Sequence, residues 1–237
     1  MIDKSMTTSH NEEWELVPWN TRDVFIATGL LFLSFLIVQI FLGLVIGTIN
    51  LNGYKIPSPV LAGFLEGLML LTVWAIAIKK YRARWRMLGL KRPKARWALV
   101  LPWLVLLGSL SFTAIYSSLV TVINVDYMKP PPLPDDVLGN GLVRLLNTLV
   151  IVLWVPFIEE VFFRGFLLAA LIPAFGAMRA ITIGAFIFAA AHLMPSTMIP
   201  LFVTGLLLSW LYVKTRSIWP PMTAHAAQNL IAISVAS

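Results

Sequence analysis

Leu153-Trp-Val-Pro-Phe-Ile-Glu-Glu-Val-Phe-Phe-Arg-Gly-Phe-Leu167 sets two adjacent carboxylates, Glu159 and Glu160, and a cation one turn later, Arg164, inside a strongly apolar run. Ionisable groups at membrane depth cost about 2.5 to 3.5 kcal/mol each on insertion scales and are retained where they have a task. Two of the three histidines, His192 and His225, fall in apolar stretches further along. Acids, imidazoles and a guanidinium sunk in lipid read as a catalytic cluster.

The rest of the chain supplies the lipid-embedded setting. Of 237 residues, 59% are hydrophobic and 12% charged, and the mean hydropathy is +0.84. A soluble domain carries about 25% charged residues. No Lys, Arg, Asp or Glu occurs between Asp23 and Lys55, between Arg96 and Asp126, from Ala180 to Val213, or from Ser217 onward. A bilayer-crossing helix needs roughly 20 apolar residues. The expected fold is therefore all-α, a polytopic transmembrane helix bundle of about seven spans. These spans are placed at about 24–48, 59–78, 97–122, 142–171, 179–194, 198–213 and 219–235.

Several local features refine that plan. Gly43-x-x-x-Gly47 and Gly63-x-x-x-Gly67 are small-residue faces for close helix contact. Glu66 is a further acid in the second span, suited either to pairing with a basic group or to lining a substrate route. The Pro-rich stretch Lys129-Pro-Pro-Pro-Leu-Pro-Asp-Asp136 belongs to an extended loop, because consecutive prolines cannot continue a helix. Pro173 and Gly176 are expected to end the fourth span, and Pro195 to close the fifth. Trp14 and Trp19 read as interface belt residues.

The net charge of +7 has a membrane explanation. Lys79, Lys80, Arg82, Arg84, Arg86, Lys91, Arg92, Lys94 and Arg96 share one loop, the usual mark of a cytoplasmic segment. Trp85, Met87, Leu88 and Leu90 are interleaved, so part of the loop is expected to lie on headgroups as an amphipathic helix. With the charge accounted for, no nucleic-acid partner is called for. Threading seven spans with this loop inside puts the N-terminus in the cytoplasm, as for a multi-pass protein of a bacterial inner or plasma membrane. The N-terminus lacks the basic-then-apolar order of a cleavable signal peptide, so the first span is expected to be an uncleaved anchor. The absence of cysteine excludes disulfides, thiolate zinc sites, iron–sulfur clusters and a thiol nucleophile.

Helical spacing sorts the polar residues into three patches. Glu160 and Arg164 are i,i+4 with the acid first, the better order for an ion pair. Glu159 points about 100° away, so the two carboxylates are not expected to share one set of partners. Phe188 and His192 are i,i+4 on the fifth span, and His225 and Asn229 on the seventh. Peptide hydrolysis requires a base for water, an acid for the leaving amine and donors for the oxyanion. A carboxyl removed from water can move protons near neutrality, and an imidazole with an amide can donate to one developing oxyanion.

Glu159-Glu160-x-x-x-Arg164, Phe188-x-x-x-His192 and His225-x-x-x-Asn229 together resemble the three motifs of the CAAX-processing and bacteriocin-processing (CPBP, or Abi) membrane endopeptidases. That family includes the type II CAAX prenyl endopeptidases. Leu88-Gly-Leu-Lys-Arg-Pro93 resembles the loop before the core in bacterial members. The resemblance covers about residues 140–235. It divides the chain into an N-terminal cytoplasmic segment (1–23), variable membrane helices with the basic loop 79–97 (24–139), and a catalytic core (140–237). It implies a metal-independent glutamic endopeptidase without cofactor, acting on a membrane-anchored peptide or protein in the bilayer. Glu159 and His192 would activate water, His225 and Asn229 would form the oxyanion hole, and Glu160 with Arg164 would support the site while Phe188 packs beside it.

Other readings stay open on the residues alone. The same side chains could lock the bundle of a non-catalytic adaptor or immunity protein. Two histidines and a glutamate can hold zinc, although no H-E-x-x-H spacing is present. A proton-relaying transporter would need matching broken helices in two halves, which the sequence lacks.

Overall fold

The computed structural model of the protein describes residues 17–48, 58–93, 96–129 and 138–235, which are helical throughout with no strand among them. Seven rods follow the uncharged runs. They are α1 (Thr21–Thr48), α2 (Ser58–Val73, continued with π winding over Trp74–Lys80), α3 (Leu101–Val122), α4 (Gly141–Phe175), α5 (Ala177–Ala191), α6 (Met198–Thr215) and α7 (Trp219–Val235). Four helical stretches are long and apolar enough to cross a bilayer, namely Thr21–Val38, Trp97–Val122, Gly141–Phe175 and Pro195–Thr215, and Ala177–Ala191 is a shorter apolar helix. The protein is an all-α polytopic membrane bundle. Phe32, Leu33, Leu36, Ile37 and Ile40 are exposed along α1, as a helix facing acyl chains requires.

The long central helix, α4, is not uniformly wound. It is α over Gly141–Leu149, π over Val150–Trp154, α over Val155–Glu159, π over Glu160–Leu168 and α again over Ala169–Phe175. It passes through Pro173 rather than stopping there, and Gly176 separates it from α5. The core gathers around its second half. Phe162, Phe166, Leu167, Leu168 and Leu171 are buried with Val24, Val73, Leu88, Phe188 and Ile218 from the surrounding elements. On α2, Gly63 lets α4 approach closely. A Cβ there would sit 3.2 Å from Val150 Cγ1, and the Gly63 carbonyl accepts from Trp154 Nε1 at 3.1 Å. The Gly43-x-x-x-Gly47 face, Trp14 and the prolines 130–132 and 134 lie outside the described residues or side chains.

Three expectations are corrected. Trp19 is 2% exposed rather than an interface anchor. It stacks on Phe166 with ring centroids 5.6 Å apart and donates its Nε1 to the Phe166 carbonyl at 2.9 Å. Hydropathy placed it at the boundary because it precedes the first span, but its indole N–H finds a spare acceptor inside. The basic loop forms no amphipathic helix among its described residues. It makes one 3₁₀ turn, Trp85–Leu88, capped by Gly89 at φ 81°, a conformation open to glycine at no steric cost. The loop is instead held by tertiary bonds. Ile218 N donates to Gly89 O at 3.0 Å and Ser217 Oγ to Lys91 O at 2.6 Å. Its Leu88 carbonyl lies against Gly165 so closely that any Cβ there would collide with it. Finally, α5 ends at Ala191, with His192 as its C-cap, before Pro195 is reached.

Candidate active site

Glu159 is the last residue of an α-wound stretch of α4, and Glu160 begins the π-wound one. A π turn advances by a smaller angle per residue than an α turn, and such turns concentrate at functional sites. Glu160 is fully buried and Glu159 is 6% exposed. Arg164, also fully buried, gives Nη1 to Glu160 Oε1 at 2.8 Å. Its guanidinium carbon stands 4.6 Å from the centre of the Phe188 ring, within the range of a cation–π contact. The i,i+4 ion pair expected from spacing is present.

From α7, His225 enters between the two acids. Its Nδ1 is 3.0 Å from Glu160 Oε1 and its Nε2 is 3.4 Å from Glu159 Oε2. The carboxylates therefore do share a partner, contrary to the expectation from a 100° step. An imidazole has two nitrogens pointing apart, so one ring can reach two carboxylates on different faces of a helix. That possibility is invisible to angular spacing alone.

From α5, His192 brings Nε2 to 3.9 Å from Glu159 Oε1. Its other nitrogen is committed, with Nδ1 2.8 Å from the Phe188 carbonyl. A carbonyl only accepts, so Nδ1 carries the hydrogen and Nε2 of the neutral ring presents a lone pair towards Glu159. At 3.9 Å the two groups are too far apart for a direct hydrogen bond, and the gap is of the kind a water bridges. Phe188 also holds both imidazoles edge-on, at centroid distances of 4.8 Å to His192 and 5.9 Å to His225. Glu159 and His192 both line an apolar cavity that continues between α1, α2, α4 and α5.

Asn229 is one turn beyond His225 but is not hydrogen-bonded to the other motif residues. Its Nδ2 donates to the Ile151 carbonyl of α4 at 3.0 Å. Val150 accepts from Val155 across the π turn, and the corresponding donor for Ile151 would be Pro156, which has no N–H. The proline thus exposes a backbone acceptor, and a carboxamide on the neighbouring helix takes it. Proline five residues after a carbonyl in a polar-poor span was the sequence signal for this bond. Spacing arguments also missed the loop contact at Gly165, which has no counterpart in periodicity. Among the described residues, no group of three or more His, Asp and Glu side chains is disposed to hold a metal ion.

Residues 141–231 match the family model described as Type II CAAX prenyl endopeptidase Rce1-like. This segment is Rce1-like. The matched Rce1-like residues include the three motifs and span α4 to α7, so the four elements that supply the polar cluster or pack beside it belong to one family unit. The matched family is one of membrane proteases, to which residues 141–231 are similar, and the apolar helices make the chain an integral membrane protein. No curated protein and no solved structure matches the chain.

Proposed function

We propose that the chain is a glutamic endopeptidase whose water is activated by Glu159 and His192 within the membrane. The observation that carries the reading is the convergence of α4, α5 and α7 on one 3.9 Å gap, walled by Glu159 Oε1 and His192 Nε2. A water there can donate one hydrogen to each. As its oxygen adds to the scissile carbonyl carbon, Glu159 takes the proton and the carbonyl π pair moves onto oxygen. The same proton then goes to the amide nitrogen, the C–N bond breaks, and acid and amine are released. General acid–base help of this kind contributes about 10² to 10⁴ in rate.

His225 and Asn229 are assigned to the oxyanion. Nδ1 of His225 gives its hydrogen to Glu160 Oε1, so Nε2 donates to the carbonyl under attack only in the doubly protonated ring. One N–H of the Asn229 amide is spent on Ile151, and the second remains for the oxyanion. Each such donor is worth about 3 to 4 kcal/mol in the transition state. Glu160 and Arg164 act by holding His225 and the helix in place. We further place the catalytic core at 140–237, the membrane helices 24–139 ahead of it as a variable region, the N-terminal segment 1–23 in the cytoplasm, and seven crossings in a bacterial inner or plasma membrane. The nine clustered cations of the loop between the second and third spans support that orientation.

The test is cleavage of membrane-associated peptides by the protein in proteoliposomes, with and without a chelator. Glu159→Gln and His192→Ala should each fold, sediment and melt like the parent protein but lose turnover, and chelation should leave the parent rate unchanged. Full activity in Glu159→Gln removes the hydrolase reading. A rate abolished by chelator and restored by zinc replaces it with a metalloprotease.

A further inference from the structure

The cavity beyond Glu159 has a volume of about 620 Å³, the size of a site that encloses a small ligand or several side chains. Phe32 and Phe35 of α1, Leu65 of α2 and Phe163 of α4 form much of its wall. Three polar groups break the apolar lining: Glu159 and His192 at the catalytic end, and Glu66 on α2. Glu66 belongs to none of the three motifs and lies ahead of the family match.

Among the described residues no cation is paired with Glu66. Its Oε2 is buried without a hydrogen-bond partner, as is Oε2 of Glu159. No lysine or arginine among the described residues lines the cavity. Arg164, the cation buried nearby, is on the Glu160 side, with Nη1 given to that acid and its guanidinium over Phe188. Glu66 and Glu159 face the same cavity. An uncompensated carboxylate in apolar surroundings is costly, and a second one facing the same space adds repulsion. An occupant that fills this cavity with apolar groups alone would strip the remaining water from Glu66 and raise the cost. An occupant that brings one positive charge would relieve it.

We propose that Glu66 determines specificity in this cavity by pairing with a lysine or arginine side chain carried in an otherwise apolar segment of the substrate. The inference rests on the peptidase reading above. The charge would sit beside the cleavage site, its aliphatic stem along the phenylalanine wall and its head on Glu66. A basic side chain suits both parts of the cavity, since long cationic residues bury their stems against apolar surface. This charge pairing would be weaker or absent for a substrate of purely hydrocarbon character.

The experiment uses the full-length protein in proteoliposomes and a leucine-rich membrane peptide in three forms. These carry a single lysine, a norleucine or a glutamate at one position, and the position is walked along the peptide. At the best position, the parent protein should show a KM for the lysine peptide about tenfold below that for the norleucine peptide, with similar kcat. Glu66→Gln should bring the two KM values together. Glu66→Asp should keep part of the preference, and Glu66→Lys should transfer it to the glutamate peptide. A lysine preference that survives in Glu66→Gln overturns the proposal. So does an equal fall in kcat for all three peptides, which would make Glu66 a proton-handling group of the reaction. Peptide binding to Glu159→Gln, read by fluorescence anisotropy, keeps the two ideas apart. If that variant still cleaves, the peptidase reading fails, while a Glu66-dependent lysine preference in binding still stands.

Discussion

On one side of α4, Glu160 is enclosed, with Arg164 Nη1 at 2.8 Å and His225 Nδ1 at 3.0 Å from its Oε1, while its Oε2 is buried without a hydrogen-bond partner. On the other side, Glu159 looks across 3.9 Å to His192 and out into an apolar cavity. The two residues are adjacent in sequence and identical in chemistry. Their difference shows that of two neighbouring buried acids one can be fixed by a charged partner on its own helix while the other keeps an oxygen towards an open cavity, the side to which we assign the chemistry. His225 ties the two regimes together, because a single ring touches both acids.

The sharpest way to break the comparison is to neutralise each acid in turn. Glu159→Gln should cut the cleavage rate by about 10² to 10⁴ with little change in melting temperature, measured on the same proteoliposome preparation. If the rate survives, the open side is not where chemistry happens. Next in size is Arg164→Met, which leaves Glu160 buried without its cation. Removing one partner of a buried pair costs about 3 to 5 kcal/mol, to be read as lowered resistance to unfolding in mixed detergent. The double variant Glu160→Gln/Arg164→Met should recover a good part of that loss. Equal stability in the parent, the single variant and the double variant would show that the Glu160–Arg164 pair is not structural.

Two smaller changes sharpen the contrast. Gly165→Ala forces a methyl against the Leu88 carbonyl. Overpacking of this sort costs about 1 to 3 kcal/mol, and the melting temperature should fall accordingly, because loop and helix backbones must part. The smallest effect belongs to an ion pair outside the cluster. Lys80 Nζ lies 2.6 Å from Asp23 Oδ1, yet its side chain is 56% exposed. Lys80→Met should leave the melting temperature almost unchanged, because solvent screens an exposed pair, a yardstick against which the loss in Arg164→Met shows what burial adds to a similar distance.

Much of this was legible in the sequence, and the failures are physical. Uncharged runs located the rods within a few residues, since exclusion of charge from lipid is a strong constraint. Placing Glu159, His192 and His225 at similar depths followed from rise per residue, and the structure brings these three together. What spacing could not convey is winding. A constant 100° step separates Glu159 from Glu160, whereas α4 changes pitch at that junction and His225 spans the difference. Trp19 and Asn229 were misjudged or incompletely read for a related reason. Pro156 withholds the helical donor of one α4 carbonyl, and a second α4 carbonyl accepts an indole N–H. The oxygens of Phe166 and Ile151 became acceptors for side chains far away in sequence. Leu88 against Gly165 depended on where a loop folds back, for which hydropathy carries no signal.

The alternating pitch of α4 also makes its two halves sensitive to residue count. Each π stretch takes up the equivalent of an extra residue while keeping what lies downstream in phase. Substitutions that forced Glu160–Leu168 to wind as an ordinary α-helix with all nine residues retained would turn the distal half by about 100° or more relative to the proximal half. Arg164 or Phe166 would then swing out of line with Phe188 or Trp19 while the hydrophobicity of the span stayed almost unchanged. A chain so altered would still insert as a membrane helix, but its acids and their partners would no longer face one another.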